Sequence, residues 1–136
     1  MKALQFEQAV ESIIKRDKRF DPLAYLFLKE ALDFTLKRAA DGNDGESRHV
    51  TGTELCLGFR DLAVQQFGPM AGTLMTEWGL RETSNIGEIV FHLIEEQMFG
   101  KQDSDTMDDF EAVYDFEDAF VVPFQPKRKR ERELVR

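Results

Sequence analysis

Residues 21–38 read DPLAYLFLKEALDFTLKR, and this stretch decides the fold. Ten of the fourteen residues from Leu23 to Leu36 are apolar. The polar ones are not scattered: Lys29, Asp33 and Lys37 recur every fourth residue with Glu30 beside them, which on a helix makes one narrow polar strip. Asp21 is placed to cap the free N–H groups of the first turn, and Pro22 suits the first helical position, where no N–H is required. A helix that is apolar around most of its circumference needs neighbours on several sides. The stretch is therefore expected to be the central helix of one compact domain.

Working outward, Phe6, Val10, Ile13 and Ile14 share one face of a helix expected over Gln5–Arg16, with Glu7, Glu11 and Lys15 opposite. After the central helix, DGNDGES (41–47) reads as a surface loop. Thr51-Gly52-Thr53-Glu54 is a capping box, and Leu55, Phe59, Leu62 and Ala63 continue an apolar stripe to about Phe67. Gly68 ends that helix and Pro69 opens a fourth, in which Met70, Ala71, Leu74, Met75 and Trp78 follow an i, i+4, i+8 pattern until Gly79 closes it. A fifth helix is expected over Asn85–Met98, with Asn85 and Glu88 as its cap pair and Ile86, Ile89, Val90, Leu93 and Ile94 buried.

Beyond Gly100 the chain is acidic and aromatic. Phe110, Tyr114, Phe116 and Phe120 are too many aromatic residues for a disordered linker. Either a small β-hairpin or single helical turns fit this segment. Pro123 and Pro126 then stop regular structure. The resulting expectation is a mainly α single domain of about five helices over residues 1–124, followed by a flexible basic tail over 125–136. Helices followed by a hairpin would also suit a winged-helix arrangement, whose fifth helix would read DNA. Glu88, Glu95 and Glu96 on that helix oppose phosphate contact.

The 136 residues carry a net charge of −8, unevenly placed. Lys127–Arg136 holds six basic and two acidic side chains, or +4, so the preceding 126 residues sum to −12. An acidic body is a poor general partner for phosphate backbones, and the tail residues Lys127, Arg128, Lys129, Arg130 and Arg132 are the exception. The longest uninterrupted apolar run is the six residues Leu23–Leu28, which fits no membrane-spanning helix. The N-terminal stretch carries charges throughout, unlike a secretory signal, and the single cysteine, Cys56, suits a reducing compartment. A cytoplasmic location is expected.

Little in the chain points to chemistry. Glu88, His92 and Glu95 are spaced to share a helix face, and carboxylates with imidazole at that spacing hold metals in helical di-iron sites. Such a site needs a second ligand set, and no other helix offers a Glu-x-x-His pair, so a solvated face is the competing reading. His49, beside Thr51 and Glu54, has the composition of a general base or a pH-sensitive contact, against a plain loop-to-helix hydrogen bond. Cys56 lies in the apolar half of its helix, where a buried thiol is the expected role. No phosphate-cradling loop, dinucleotide fingerprint or Cys/His metal spacing is present, and no cofactor is expected.

Several short stretches taken together resemble a family of short bacterial proteins associated with planctomycete and verrucomicrobial lineages. They are Phe20-Asp21-Pro22 with Ala24-Tyr25, Arg48-His49-Val50-Thr51-Gly52 with Glu54-Leu55, Phe67-Gly68-Pro69, Trp78-Gly79, Gly87-Glu88-Ile89-Val90-Phe91, Asp109-Phe110 and Tyr114-Asp115-Phe116. The set covers roughly residues 5 to 120. The resemblance implies no activity and no catalytic residues, since that family carries no assigned function. The functional expectation is a non-enzymatic protein-interaction or adaptor domain. Its alternatives are nucleic-acid or ribosome association through the tail, and an enzyme or metal protein using His49 or Glu88 with His92.

Overall fold

The computed structural model of the chain describes residues 2–100 and 106–126, together with side-chain environments from residue 5 onward. Helix α1 spans Lys2–Arg16, starting three residues before the sequence expectation, and buries Phe6, Ala9, Val10 and Ile13. Helix α2 spans Pro22–Asp41. Its start follows the expected chemistry: the Asp21 carboxylate accepts from the Leu23 N–H at 2.8 Å, and Pro22 occupies the first turn. Ala24, Tyr25, Leu28 and Ala31 are wholly enclosed.

Helix α3 spans Gly52–Phe67 and lies closely along α2. Its capping box is complete: the Glu54 N–H donates to the Thr51 hydroxyl at 3.1 Å, and the Glu54 carboxylate accepts from the Thr51 N–H at 2.9 Å. Gly68 closes it at φ 52°, a conformation that favours glycine. The fourth helix departs from expectation. Pro69 opens only a tight single turn over Gly68–Met70, and α4 proper is Ala71–Glu77. Its role survives: Trp78 packs against Phe27 with ring centroids 5.6 Å apart, and Phe27 meets Phe59 edge-on at 4.9 Å.

Helix α5 spans Thr83–Glu95, beginning two residues before the expected start. Asn85 serves the cap by accepting from the N–H groups of Arg81 and Glu82 at 2.9 and 3.1 Å. Its amide donates to Glu88 at 2.9 Å, so the anticipated Asn85–Glu88 pair exists as a brace inside the first turns.

Among the described residues there is no strand, so they form neither the hairpin nor a winged-helix arrangement, and the alternative of single helical turns is the one seen. The C-terminal segment is a strap of short helical turns: Met107–Phe110, helix α6 over Phe116–Phe120, and Val122–Phe124. Asp115 starts α6 by accepting from the N–H groups of Glu117 and Asp118. Phe110 is the strap's anchor, held between α3 and α5. It enters where Gly52 and Gly87 lack side chains; a Cβ on Gly87 would lie 2.6 Å from the Phe110 ring, and one on Gly52 would lie 2.8 Å from it. The tail Lys127–Arg136, and with it the expectations of flexibility and polyanion contact, lies outside the described residues.

Candidate functional site

Two places gather polar or ligand-sized features: a polar crossing where the α1–α2 link passes α5, and an apolar cleft between α2, α3 and α5.

At the crossing, α1 ends at Arg16 and the chain turns through Asp17–Phe20 before α2. Gly79 makes that turn possible. At φ 89° it meets the Arg19 carbonyl so closely that no side chain fits, while the Asp21 N–H donates to the Trp78 carbonyl at 3.1 Å. The link thus lies against the start of α5. Arg19 donates to Asp17 at 2.9 Å and to Glu88 at 2.7 Å, and stacks over the Phe20 ring. His92 points into the same place. With the imidazole neutral, Nδ1 accepts from the Tyr25 hydroxyl at 3.0 Å and Nε2–H faces Asp17 at 3.5 Å. Further along, Arg16 reaches Glu95 at 3.1 Å and Glu96 at 3.4 Å.

The expected solvated face holds for Glu95, whose side chain is 66% exposed, but not for His92, which is only 16% exposed, nor for Glu88 and Glu96, which are partly covered by Arg19 and Arg16. Nor do Glu88, His92 and Glu95 form a metal centre: Glu88 and Glu95 are turned toward different arginines. Among the described residues, no three His, Cys, Asp or Glu side chains converge as a metal requires. The electrostatics follow from these pairings. The Arg19 guanidinium holds the Asp17 carboxyl at about 2, well below the usual carboxylate range, and its own pKa is raised in return, first by Asp17 and then by Glu88. Burial lowers the pKa of His92, which Asp17 partly opposes, and burial raises that of Tyr25.

Tyr25, His92 and Asp17 stand in the order of a proton relay. Yet Tyr25 is fully buried and its proton is held more tightly than in a free phenol, while Asp17 is committed to Arg19. Asp17 and His92 keep only 21% and 16% of their side chains exposed. The geometry is that of a lock between the α1–α2 link and α5. Three members of it, Asp17, Arg19 and Tyr25, escaped the sequence reading. The one available signal was Tyr25 itself, a lone hydroxyl on the apolar side of α2, since a buried tyrosine needs a partner.

The cleft has a volume of about 300 Å³. Leu32, Phe91, Met98 and Phe110 supply much of its apolar wall, and His49 and Thr51 stand on its rim. His49 is exposed there, next to Arg48, whose guanidinium makes a two-pronged pair with Glu54 at 2.7 and 3.1 Å. Arg48 and the Thr51 N–H together hold the Glu54 carboxyl at about 2, so Glu54 is a fixed anion and not a proton carrier. Cys56 lies fully enclosed, and burial pushes its thiol up to about 12. It is a packing residue, as expected, and its thiolate is scarce at neutral pH.

The chain matches no family model, and neither a curated protein nor a solved structure is similar to it at a significant level.

Proposed function

We propose that this chain is a non-enzymatic interaction domain that acts as an adaptor, in keeping with the cytoplasmic location inferred from its composition. The observation that carries the reading is where its chemistry and its apolar surface lie. The titratable groups of the crossing are locked to one another, whereas large apolar side chains stand outside: Leu23 at 53% exposure, Leu26 at 43%, Met70 at 58% and Val122 at 45%. Leu23 and Leu26 stand about one turn apart on α2, and a contiguous exposed apolar patch of that kind marks a contact site. No helix among the described residues is long and apolar enough to cross a membrane. The resemblance to the short bacterial family belongs to the same proposal and adds no activity to it.

The test is quantitative co-purification from native cells with tagged wild type and the variants Leu26→Glu and Val122→Glu. A stoichiometric protein that is kept by wild type and lost from one variant supports the reading. Equal yield from all three overturns it.

A second reading, association with nucleic acid or the ribosome, is supported by the +4 charge of Lys127–Arg136 set on a −12 body. Deleting 127–136 should abolish polyanion binding in a gel shift, and that binding should weaken steeply with salt. Binding that persists after the deletion would place the contact on the acidic body, where phosphates are repelled, and would remove the reading.

A further inference from the structure

Glu7, Glu11 and Lys15 recur at four-residue spacing on α1 and form a single stripe. That stripe is one bank of a groove of about 450 Å³ whose other bank is Pro22 and Leu26 of α2. Val10 and Ile14 line it between the banks. Leu23 stands beside Leu26, and the two keep 53% and 43% of their surface exposed. They are the large apolar side chains of α2 that the fold leaves most open.

The banks are charged in a set pattern. Glu54, Glu88, Glu95 and Glu96 each pair with an arginine, but no described residue forms an ion pair with Glu7 or Glu11. Two carboxylates therefore lie at one end of the groove and an ammonium at the other. From Glu7 to Lys15 the stripe runs about 12 Å at 1.5 Å per residue, which matches two to three turns of a second helix.

We infer that the α1–α2 groove is the docking site for an amphipathic helix of another protein, with basic residues flanking its apolar stripe over Glu7 and Glu11. Leucine-sized side chains of that helix enter between Ile14 and Leu26, in the helix-in-groove mode. Opposite charge over the Glu7–Glu11 end selects the partner and sets its direction along α1. A second copy of this chain fits less well. A two-fold contact centred on the stripe would set each Glu7 against the other copy's Lys15 but would oppose the two Glu11 carboxylates, and each body brings a charge of −12 outside its tail. This inference rests on the reading of the chain as an interaction domain.

The probe is a synthetic helix of about 18 residues, long enough to hold helical structure, with leucines on one stripe and lysines beside it. Two control peptides accompany it: a scrambled isomer without the stripe, and a version with glutamates in place of the lysines. Binding is followed by fluorescence anisotropy at physiological salt and mapped by amide chemical shifts, with circular dichroism checking that each variant is folded. The striped lysine peptide should bind wild type and shift amides of α1 and of the start of α2. Leu26→Glu should weaken it about tenfold or more, the scale of losing a central apolar anchor. The double variant Glu7→Lys, Glu11→Lys should reverse the preference toward the glutamate peptide, while Val122→Glu should bind as wild type does. Because Glu7 and Glu11 are exposed, the reversal remains a clean test if Leu26→Glu fails to fold.

Equal binding of the scrambled peptide, no effect of Leu26→Glu in a folded protein, or no binding at all would overturn the inference. Sedimentation showing wild-type self-association that Leu26→Glu abolishes would assign the groove to a second copy instead. A native partner lost from Val122→Glu but kept by Leu26→Glu would remove the groove and leave the adaptor reading standing.

Discussion

The helical centre of α2, α3 and α5 and the strap from Met107 to Phe124 bury aromatic side chains about equally well, yet they are fastened differently. In the centre, Phe27, Phe59 and Tyr25 interdigitate among Leu28, Leu62, Ile86 and Ile89, and each helix satisfies its own backbone. The strap has little regular structure to satisfy its backbone, so side chains of the helices do so. The Thr53 hydroxyl donates to the Asp109 carbonyl at 2.9 Å. Thr83 donates to the Phe110 carbonyl at 2.6 Å and accepts from the Val113 N–H at 3.1 Å, and the Tyr114 hydroxyl donates to the Cys56 carbonyl at 2.8 Å. One region is held by many interchangeable apolar contacts, the other by two buried phenylalanines, Phe110 and Phe120, and a few individual hydrogen bonds. Loss of a single atom should matter far more in the second.

The largest effect is expected at the anchor. Phe110→Ala should destabilise by about 3–5 kcal/mol, the usual range for emptying a buried phenylalanine site. Denaturant midpoints give the magnitude, and hydrogen exchange gives the distribution. Amides of Asp109–Phe120 should lose protection while those in the middle of α2 and α3 keep theirs. Uniform loss of protection would mean that strap and centre form one cooperative unit. Next comes Thr83, fully buried at the start of α5. Thr83→Val keeps the shape but leaves the Phe110 carbonyl and the Val113 N–H without their partner, a cost of about 2 kcal/mol. Thr83→Ser should restore most of that. If valine and serine behave alike, volume rather than hydrogen bonding holds the strap.

The same difference decides how much could be read from the chain alone. The centre was legible because helix periodicity and caps are local signals: Asp21-Pro22 and Thr51-x-x-Glu54 start α2 and α3 where their sequences say. The strap was legible only as one of two forms: single helical turns, which it adopts, stood beside a hairpin. Its alternating aromatic and acidic residues suit a hairpin, whereas Tyr114, Phe116 and Phe120 in fact cluster around a turn capped by Asp115, with ring centroids 5.1–6.1 Å apart. What fixes it are hydroxyls on Thr53 and Thr83, far away in sequence, and the clearings at Gly52 and Gly87. The polar crossing failed for the same reason. Glu88 and His92 look solvated until the Asp17–Phe20 link is known to pass beside them, and that path depends on Gly79.

A smaller, local loss is expected at the α3 cap. Thr51→Ala removes the acceptor for the Glu54 N–H and should cost about 1 kcal/mol. Helix α3 contributes to both regions, since Thr53 follows the cap and Gly52 adjoins Phe110. A denaturant midpoint unchanged by Thr51→Ala would show that Arg48 and Glu54 hold this helix start without the hydroxyl.

The smallest effect is a slope in pH, and it belongs to the lock between the α1–α2 link and α5. In the fold, burial keeps His92 neutral and its pKa below the value near 6.5 that it has in the unfolded chain. The unfolded chain therefore binds the extra proton first, so stability rises with pH across that interval. His92 costs nothing above about pH 6.5, and the penalty accumulates as pH falls below that value toward the folded pKa. Protonation also turns Nδ1 from acceptor to donor, which forces the Tyr25 hydroxyl to reverse its hydrogen bond inside a closed site. Asp17, Arg16, Arg19 and Glu95 act on the ring from the end of α1, the link and α5, with the Asp17 and Glu95 carboxylates opposing the loss and the arginines adding to it. Asp17 itself acts lower, its contribution fading only as pH falls from about 4 toward 2. Denaturant midpoints between pH 7.5 and 5 should fall for wild type and run flatter for His92→Gln, which keeps an amide at the crossing but cannot titrate. Parallel slopes would assign the pH dependence elsewhere and reduce the lock to plain packing.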